Sequence, residues 1–158
     1  ERFLELAGKP LDLHAVMFGP AKKDGVAVEA RVFGLRKGRR SFPAFGVGLN
    51  GVGGYRLMVS PAKEQLELFK GDGIVKAVPF VWKPDRWTRL HFQCQPTGDA
   101  WALAAKVWPE SEKEPAGWPL SWKEKAPPLA GRATIWGAPY AGTPIRFDDL
   151  KVIKLKQE

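Results

Sequence analysis

The sequence has very little cysteine, histidine or methionine, and it has no long apolar run. It contains a single cysteine, which excludes a disulfide within its 158 residues. Cys94, in the strand-like run LHFQCQ, is expected to be a buried and inert thiol. His14 and His91 are far apart and have no second cysteine or histidine at ligand spacing, so no zinc site is predicted. No apolar run approaches the roughly 20 residues of a membrane-spanning helix, so no membrane span is predicted.

Acidic residues are outnumbered by basic ones, which leaves a formal net charge of +8 and a pI of about 9.7. This surplus favours an anionic partner, although a basic solvated surface without a ligand is the alternative. Arg36, Lys37, Arg39 and Arg40 surround Gly38 in a predicted turn, where their mutual repulsion cannot help folding. We therefore predict that these four cations bind an acidic polysaccharide, with nucleic acid a less favoured partner and a merely solubilising turn the alternative.

Long amphipathic helices are missing too. Seventeen glycines and 14 prolines are spread along the chain and separate short runs in which apolar and polar residues alternate. The alternation is clearest in residues 25–35, 55–60 and 87–95, and a GDG turn joins residues 65–70 and 74–80 into a hairpin. Short strands at spacings of about 8–12 residues predict an all-β sandwich or barrel. The length suits one domain, which we expect to be part of a longer chain.

Residues 143–155, TPIRFDDLKVIKL, are predicted to form a long closing strand with one buried face. Asp148 and Asp149 interrupt its alternation. A carboxylate in such a strand needs backbone donors, a cation or a partner charge. Asp148 is therefore a candidate ligand for a structural calcium ion, with neutralisation by Arg146 or Lys151 as the alternative.

Residues 109–128 are the least regular part of the sequence and are predicted to form a long, proline-rich excursion containing at most one helical turn. Two of the seven tryptophans, Trp118 and Trp122, lie in this segment. Indole rings stack on sugar faces, so these two are the candidate ligand-binding aromatics. Trp87 and Trp136 fit strand patterns and are expected to fill the core.

Taken in order, the strand patterns resemble the concanavalin A-like lectin/glucanase superfamily, in particular the jelly roll of laminin G-like domains. The residues that carry the resemblance are Gly54, Tyr55, residues 66–70, Trp87, Thr88, Leu90, Gly131, Ile135 and residues 147–152. The resemblance implies two antiparallel sheets packed face to face, one of them concave. It also implies sugar binding on the concave face or its rim, and a structural calcium near Asp148 or Asp149.

The superfamily's hydrolases carry Glu-x-Asp-x-x-Glu or Glu-x-Asp-x-Glu on one strand, and neither pattern occurs in this sequence. We therefore predict a non-catalytic binding or accessory module, carbohydrate-binding in the first instance. The alternative is an interaction or structural module that packs against another domain or protein, and a weak glycoside hydrolase-like enzyme is the third possibility. We expect a secreted or periplasmic location.

Overall fold

The computed structural model describes residues 2–156, and its regular structure consists of short antiparallel strands with one 3₁₀ turn at Pro61–Lys63. The strands are β1 (Leu4–Leu6), β2 (His14–Lys22), β3 (Val26–Gly34), β4 (Ala44–Leu49), β5 (Tyr55–Ser60), β6 (Gln65–Lys70), β7 (Gly73–Pro79), β8 (Arg86–Thr97), β9 (Ala100–Pro109), β10 (Leu120–Glu124), β11 (Gly131–Ala138) and β12 (Ile145–Lys154). Within the described residues, no helix is long and apolar enough to cross a membrane.

The strands form two sheets of six strands each. Sheet A has the order β1-β12-β3-β8-β9-β10, and sheet B has the order β2-β11-β4-β5-β6-β7. Every neighbouring pair is antiparallel. The predicted all-β sandwich of two antiparallel sheets is therefore confirmed, and so are the predicted hairpin of β6 with β7 and the long closing strand β12.

The core lies between the sheets and is built from the alternate residues of each strand that the sequence pattern predicts. Sheet B contributes the trio Tyr55, Leu57 and Val59 from β5, and sheet A contributes Leu90 and Phe92 from β8. These side chains are at most 4% exposed. Their burial leaves the intervening residues of the same strands on the two outward faces, which are the surfaces where a ligand could bind.

Three expectations are wrong in detail. Trp87 is opposite Phe33 on the outward face of sheet A, and Trp136 lies on the outward face of sheet B, so neither ring belongs to the core between the sheets. Trp82 fills the core instead, with its ring 6.0 Å from that of Phe45. Residues 109–128 are not one long irregular excursion, because 120–124 pair with β9 as strand β10.

Polar contacts from strand β10 connect sheet A to sheet B. The Tyr55 hydroxyl donates a hydrogen bond to the Glu124 carboxylate at 2.7 Å, and Lys70 donates to the same oxygen at 3.1 Å. The bond from Tyr55 holds the pKa of Glu124 below its usual value. The register of β10 against β9 is thus reinforced by one acid that links both sheets.

Candidate functional site

The two tryptophans predicted to bind ligand have different environments. Trp118 is 41% exposed on the outward face of sheet A, where its ring lies 5.5 Å from the His91 ring. The Lys106 ammonium lies 4.4 Å from the centroid of the same ring. Trp122 lies on β10 and packs against the core.

Both rings border an open groove of about 1210 Å³ above small side chains of β9 and β10, namely Ala102, Ala104 and Ser121. A ligand role for Trp118 and Trp122 stays a prediction.

The predicted basic turn joins β3 to β4 and is fully exposed. A backbone hydrogen bond of 3.0 Å from Lys37 to Ser41 closes it. None of its four cations forms an ion pair with another residue in the range 2–156. Lys37 also lines a groove of about 830 Å³ together with Lys9 and Tyr140. The turn is available to an anion, and its binding role stays a prediction.

Asp148 pairs with an arginine of the neighbouring strand. Arg31 donates to its Oδ2 at 2.6 Å from Nη2 and at 3.1 Å from Nε, so this hydrogen bond, and then the backbone N–H of Asp149, lowers the pKa of Asp148. Arg31 also bonds Glu110 at 3.1 Å, and Arg89 bonds both Glu110 and Asp149. The outward face of sheet A therefore carries a closed network of three acids and two arginines.

Asp148 therefore pairs with Arg31 of β3 and not with Arg146 or Lys151 of its own strand. A calcium ion at Asp148 would lie beside the positive charge of Arg31, which already binds Oδ2 of this carboxylate. Among residues 2–156, no group of three histidine, cysteine, aspartate or glutamate side chains is placed to hold a metal ion. A structural calcium at Asp148 stays a prediction that a chelation experiment can test.

The outward face of sheet B is the unexpected surface. Outward-facing side chains of a sheet are ordinarily exposed, but here they are nearly as buried as the core. The residues concerned are Arg56 (8% exposed), Met58 (5%), Glu67 (5%), Thr134 (0%) and Trp136 (6%). Between them, β4 presents only Gly46 and Gly48, and a Cβ at Gly48 would lie 3.1 Å from Trp136 Nε1. The missing side chains on β4 let the indole lie across this strand towards β5.

Arg56 is at the centre of this face and lies between two aromatic rings. Its Cζ is 4.2 Å from the centroid of the Phe69 ring and 4.5 Å from that of Trp136. The Trp136 ring is fixed by a hydrogen bond of 2.8 Å from its Nε1 to Thr134 Oγ1. Glu67, which shares the face, pairs instead with Lys63 at 3.4 Å. We call the arrangement of Arg56, Phe69 and Trp136 the arginine cradle.

No acid among residues 2–156 is bonded to the guanidinium of the arginine cradle, and Asp72 acts on it only without direct contact. Among residues 2–156 it forms no hydrogen bond or ion pair, and its Nε is enclosed without a partner. Burial lowers the pKa of Arg56, and the negative charge of Asp72 only partly opposes this effect. A guanidinium nevertheless stays protonated at neutral pH. The cradle is therefore a desolvated positive charge with aromatic walls and unused donors.

The arrangement can be compared with known proteins. No protein-family model and no curated protein sequence matches the chain. Among solved structures, the carbohydrate-binding module CBM66 from Bacillus subtilis gives a TM-score of 0.65 at 8% identity, over 96% of this chain and 90% of that one. Galectin LEC-6 from Caenorhabditis elegans gives 0.52 at 10% identity, over 94% and 95%. A GH43 protein from Bacillus licheniformis gives 0.53 at 7% identity, over 84% of this chain and 28% of that one.

The chain has a concanavalin A-like jelly-roll fold. The predicted resemblance is confirmed at the level of the fold, because identities this low show the architecture and not the function. The laminin G-like subtype stays a prediction. The similar structures thus comprise a carbohydrate-binding module, a galectin and part of a GH43 protein, and they share the fold with this chain.

Sequence reasoning missed the arginine cradle of this jelly roll, although three signals were present. The alternation of β5 places Tyr55, Leu57 and Val59 inward, so it also places Arg56 outward. The paired glycines of β4 indicate a close approach to the backbone. The strand pattern of β11 marks Trp136 as a facing residue, but it does not specify which face. What no pattern shows is that Trp136 and Arg56, 80 positions apart in the sequence, meet across β4.

Proposed function

We propose that this jelly roll is a non-catalytic carbohydrate-binding module that holds its ligand on the outward face of sheet B, at the arginine cradle. The observation that carries the proposal is Arg56, a charged side chain 8% exposed that lies between two aromatic rings with no partner among residues 2–156. Buried polar groups are ordinarily satisfied within the protein. One that is not, on an outward face, indicates a ligand that supplies the missing acceptor.

The chemistry of the cradle suits a sugar. Aromatic rings stack on the apolar faces of pyranose rings, and charged nitrogens donate strong hydrogen bonds to ring substituents. Sugar sites combine apolar walls with a few placed polar groups that fix orientation. The Trp136 ring and the Arg56 nitrogens supply both elements within one short stretch of sheet.

The arrangement of acids supports binding over hydrolysis. Glycoside hydrolysis requires two carboxyl groups about 5 to 9.5 Å apart on either side of the scissile bond. Glu110, Asp148 and Asp149 are bonded to arginines on the opposite sheet, and Glu67 beside the cradle is bonded to Lys63. Of these acids, Asp148 has a pKa lowered by its hydrogen bond to Arg31, which makes it a weak general acid.

Affinity electrophoresis in gels containing soluble polysaccharides tests the proposal. We expect Arg56→Ala and Trp136→Ala to lose retardation in a gel that retards the unmodified domain. Trp118→Ala, which removes a half-exposed ring from the other sheet, is the matched control and should leave retardation unchanged. If Trp118→Ala abolishes retardation while the two cradle variants retain it, the ligand binds in the groove of sheet A and the assignment of the site is wrong.

A second candidate function, an interaction module, is favoured by the edge strand β2. This strand ends sheet B, so one side of its backbone is unpaired. It also exposes Val16 by 54% and Met17 by 48%. Open edges with exposed apolar side chains attract other chains. Protection of β2 from proteolysis in a longer form of the protein, but not in the isolated domain, would support this function. Membership of a longer chain and a secreted or periplasmic location both stay predictions.

A further inference from the structure

We propose that the glycan held at the arginine cradle is anionic, and that its carboxylate or sulfate group binds the Nη nitrogens of Arg56. This inference rests on the proposed function and specifies its ligand. Carboxylate and sulfate share the chemistry that matters here, which is a compact oxyanion with at least two acceptor oxygens. A uronic acid residue or a sulfated sugar would supply it.

The first argument is the uncompensated charge. Each of the other arginines that lies against a tryptophan or phenylalanine ring has an acid beside it: Arg31, 4.2 Å from Trp87, binds Asp148, and Arg146, 4.8 Å from Phe3, binds Glu5. Arg56 alone among these three lacks an acid partner within residues 2–156. Opposite charges attract far more strongly in a desolvated site than in water. An oxyanion therefore gains more from this position than a neutral hydroxyl does.

The second argument is the geometry of the guanidinium. Nε is buried without a partner, whereas the two Nη nitrogens are the polar atoms of the side chain that solvent reaches, and they form no hydrogen bond with residues 2–156. The rings of Phe69 and Trp136 restrict where the guanidinium can lie, so its donors are fixed before a ligand arrives. A preorganised planar fork binds carboxylate or sulfate through two parallel hydrogen bonds.

The third argument is the charge along the path away from the cradle. Glu67 is neutralised by Lys63, and the attraction of Asp72 does not offset the effect of burial on Arg56. Tyr140 is close enough to act electrostatically on Arg56 and also lines the groove that contains Lys9 and Lys37. An acidic chain that extends from Arg56 past Tyr140 therefore meets Lys9 and then Lys37, which belongs to the basic turn. A neutral chain would gain only hydrogen bonds from these lysines, without the attraction between opposite charges.

Isothermal titration with two matched pairs of probes tests the inference. The first pair is polygalacturonate and its fully methyl-esterified form, which differ in the carboxylate. The second is dextran sulfate and dextran, which differ in the sulfate. The proteins compared are the unmodified domain, Arg56→Gln, Arg56→Lys and Arg146→Gln. The last removes one charge and two arginine–aromatic contacts, with Phe3 and Phe33, from the opposite sheet, so it controls for net charge.

We expect the unmodified domain to bind at least one anionic probe tenfold or more tightly than its neutral partner, and the preferred pair identifies carboxylate or sulfate as the group. Arg56→Gln should reduce that preference to less than threefold, and Arg56→Lys should reduce it partially because it keeps the charge and loses the fork. Arg146→Gln should keep it. The thermal midpoint of each variant is recorded to confirm that it is folded.

Four results would overturn the inference. If Arg56→Gln weakens the anionic and neutral probes by the same factor, the cradle binds uncharged sugar; the proposed function then stands while the anionic ligand is rejected. If Arg56→Gln and Arg146→Gln lower the preference equally, or if no anionic probe binds at millimolar concentration, the preference reflects net charge or does not exist. An unchanged affinity of Arg56→Gln for every probe that binds rejects the assigned site as well.

Discussion

Replacing Arg56 with methionine should leave the domain about as stable as before, which is unusual for a side chain only 8% exposed. The enclosed Nε of the arginine has no partner, and this destabilises the folded state by about 1–3 kcal/mol. Its two cation–π contacts stabilise the folded state by about 1–3 kcal/mol together, because the position is partly desolvated. Methionine removes both effects and keeps sulfur–aromatic contacts of about 0.3–1.5 kcal/mol with Phe69 and Trp136.

These contributions nearly cancel, so we expect the free energy of unfolding of Arg56→Met to lie within about 1 kcal/mol of the unmodified value or above it. For a domain of this size, that corresponds to a shift of at most about 4 °C in the melting temperature. The neighbouring core residue Leu57 is fully buried, and Leu57→Ala should cost about 2–5 kcal/mol. This second variant shows that the assay detects an ordinary structural loss in the same strand.

Guanidinium chloride unfolding followed by tryptophan fluorescence measures both variants, with glycan binding measured in parallel. Stability that is kept while binding is lost would show that Arg56 is retained for its ligand. A loss of more than about 2 kcal/mol in Arg56→Met, comparable to that in Leu57→Ala, would refute the reasoning. It would mean that the guanidinium holds the sheet together through partners that the structure does not show.

Four further outcomes are expected. Burial raises the pKa of Cys94 to about 12, so a thiol reagent at pH 8 should react with the unfolded chain and not with the folded one. Because the folded pKa of Asp148 is depressed, its contribution to stability is present above the unfolded pKa of about 3.9 and is lost as the pH falls through the folded value. Arg31→Met should therefore move the midpoint of acid unfolding to higher pH, as read by circular dichroism. A chelator should lower the melting temperature if calcium binds at Asp148, and identical melts would reject that site. Replacing the four cations of residues 36–40 with glutamine should lower the salt needed for elution from heparin clearly more than neutralising Lys151, Lys154 and Lys156 does, if the turn contacts the ligand.

The fold could be predicted from the sequence because the patterns that determine it lie within single strands and turns. Alternation along β3, β5 and β8 specifies which side chains point inward, and the turn sequences between them specify antiparallel neighbours. The segment with a wrong prediction, 120–124, is short and lies between prolines. It becomes strand β10 because Leu120 can enter the core opposite Ala105, a tertiary gain that its local composition does not reveal.

The candidate site could not be predicted in the same way, because its character depends on what surrounds each side chain. Trp118 and the basic turn stand out in the sequence because their segments are irregular or charged. Trp136 and Arg56 stand in well-formed strands, where regular patterning favours a structural role. Only the pairing of β11 with β4 and of β4 with β5, across glycines, brings the indole to the guanidinium.

The two sheets carry the same chemical motif with opposite outcomes. On sheet A, Arg31 lies 4.2 Å from the Trp87 ring and is saturated by carboxylates, among them Asp148. On sheet B, Arg56 lies 4.5 Å from the Trp136 ring without any acid partner in the described chain. The first arrangement stabilises the sheet, and its guanidinium donors are already bonded to carboxylates of the protein, so they are not available to a ligand. In the second, the protein provides the aromatic wall and the donors, and the acceptor has to come from outside.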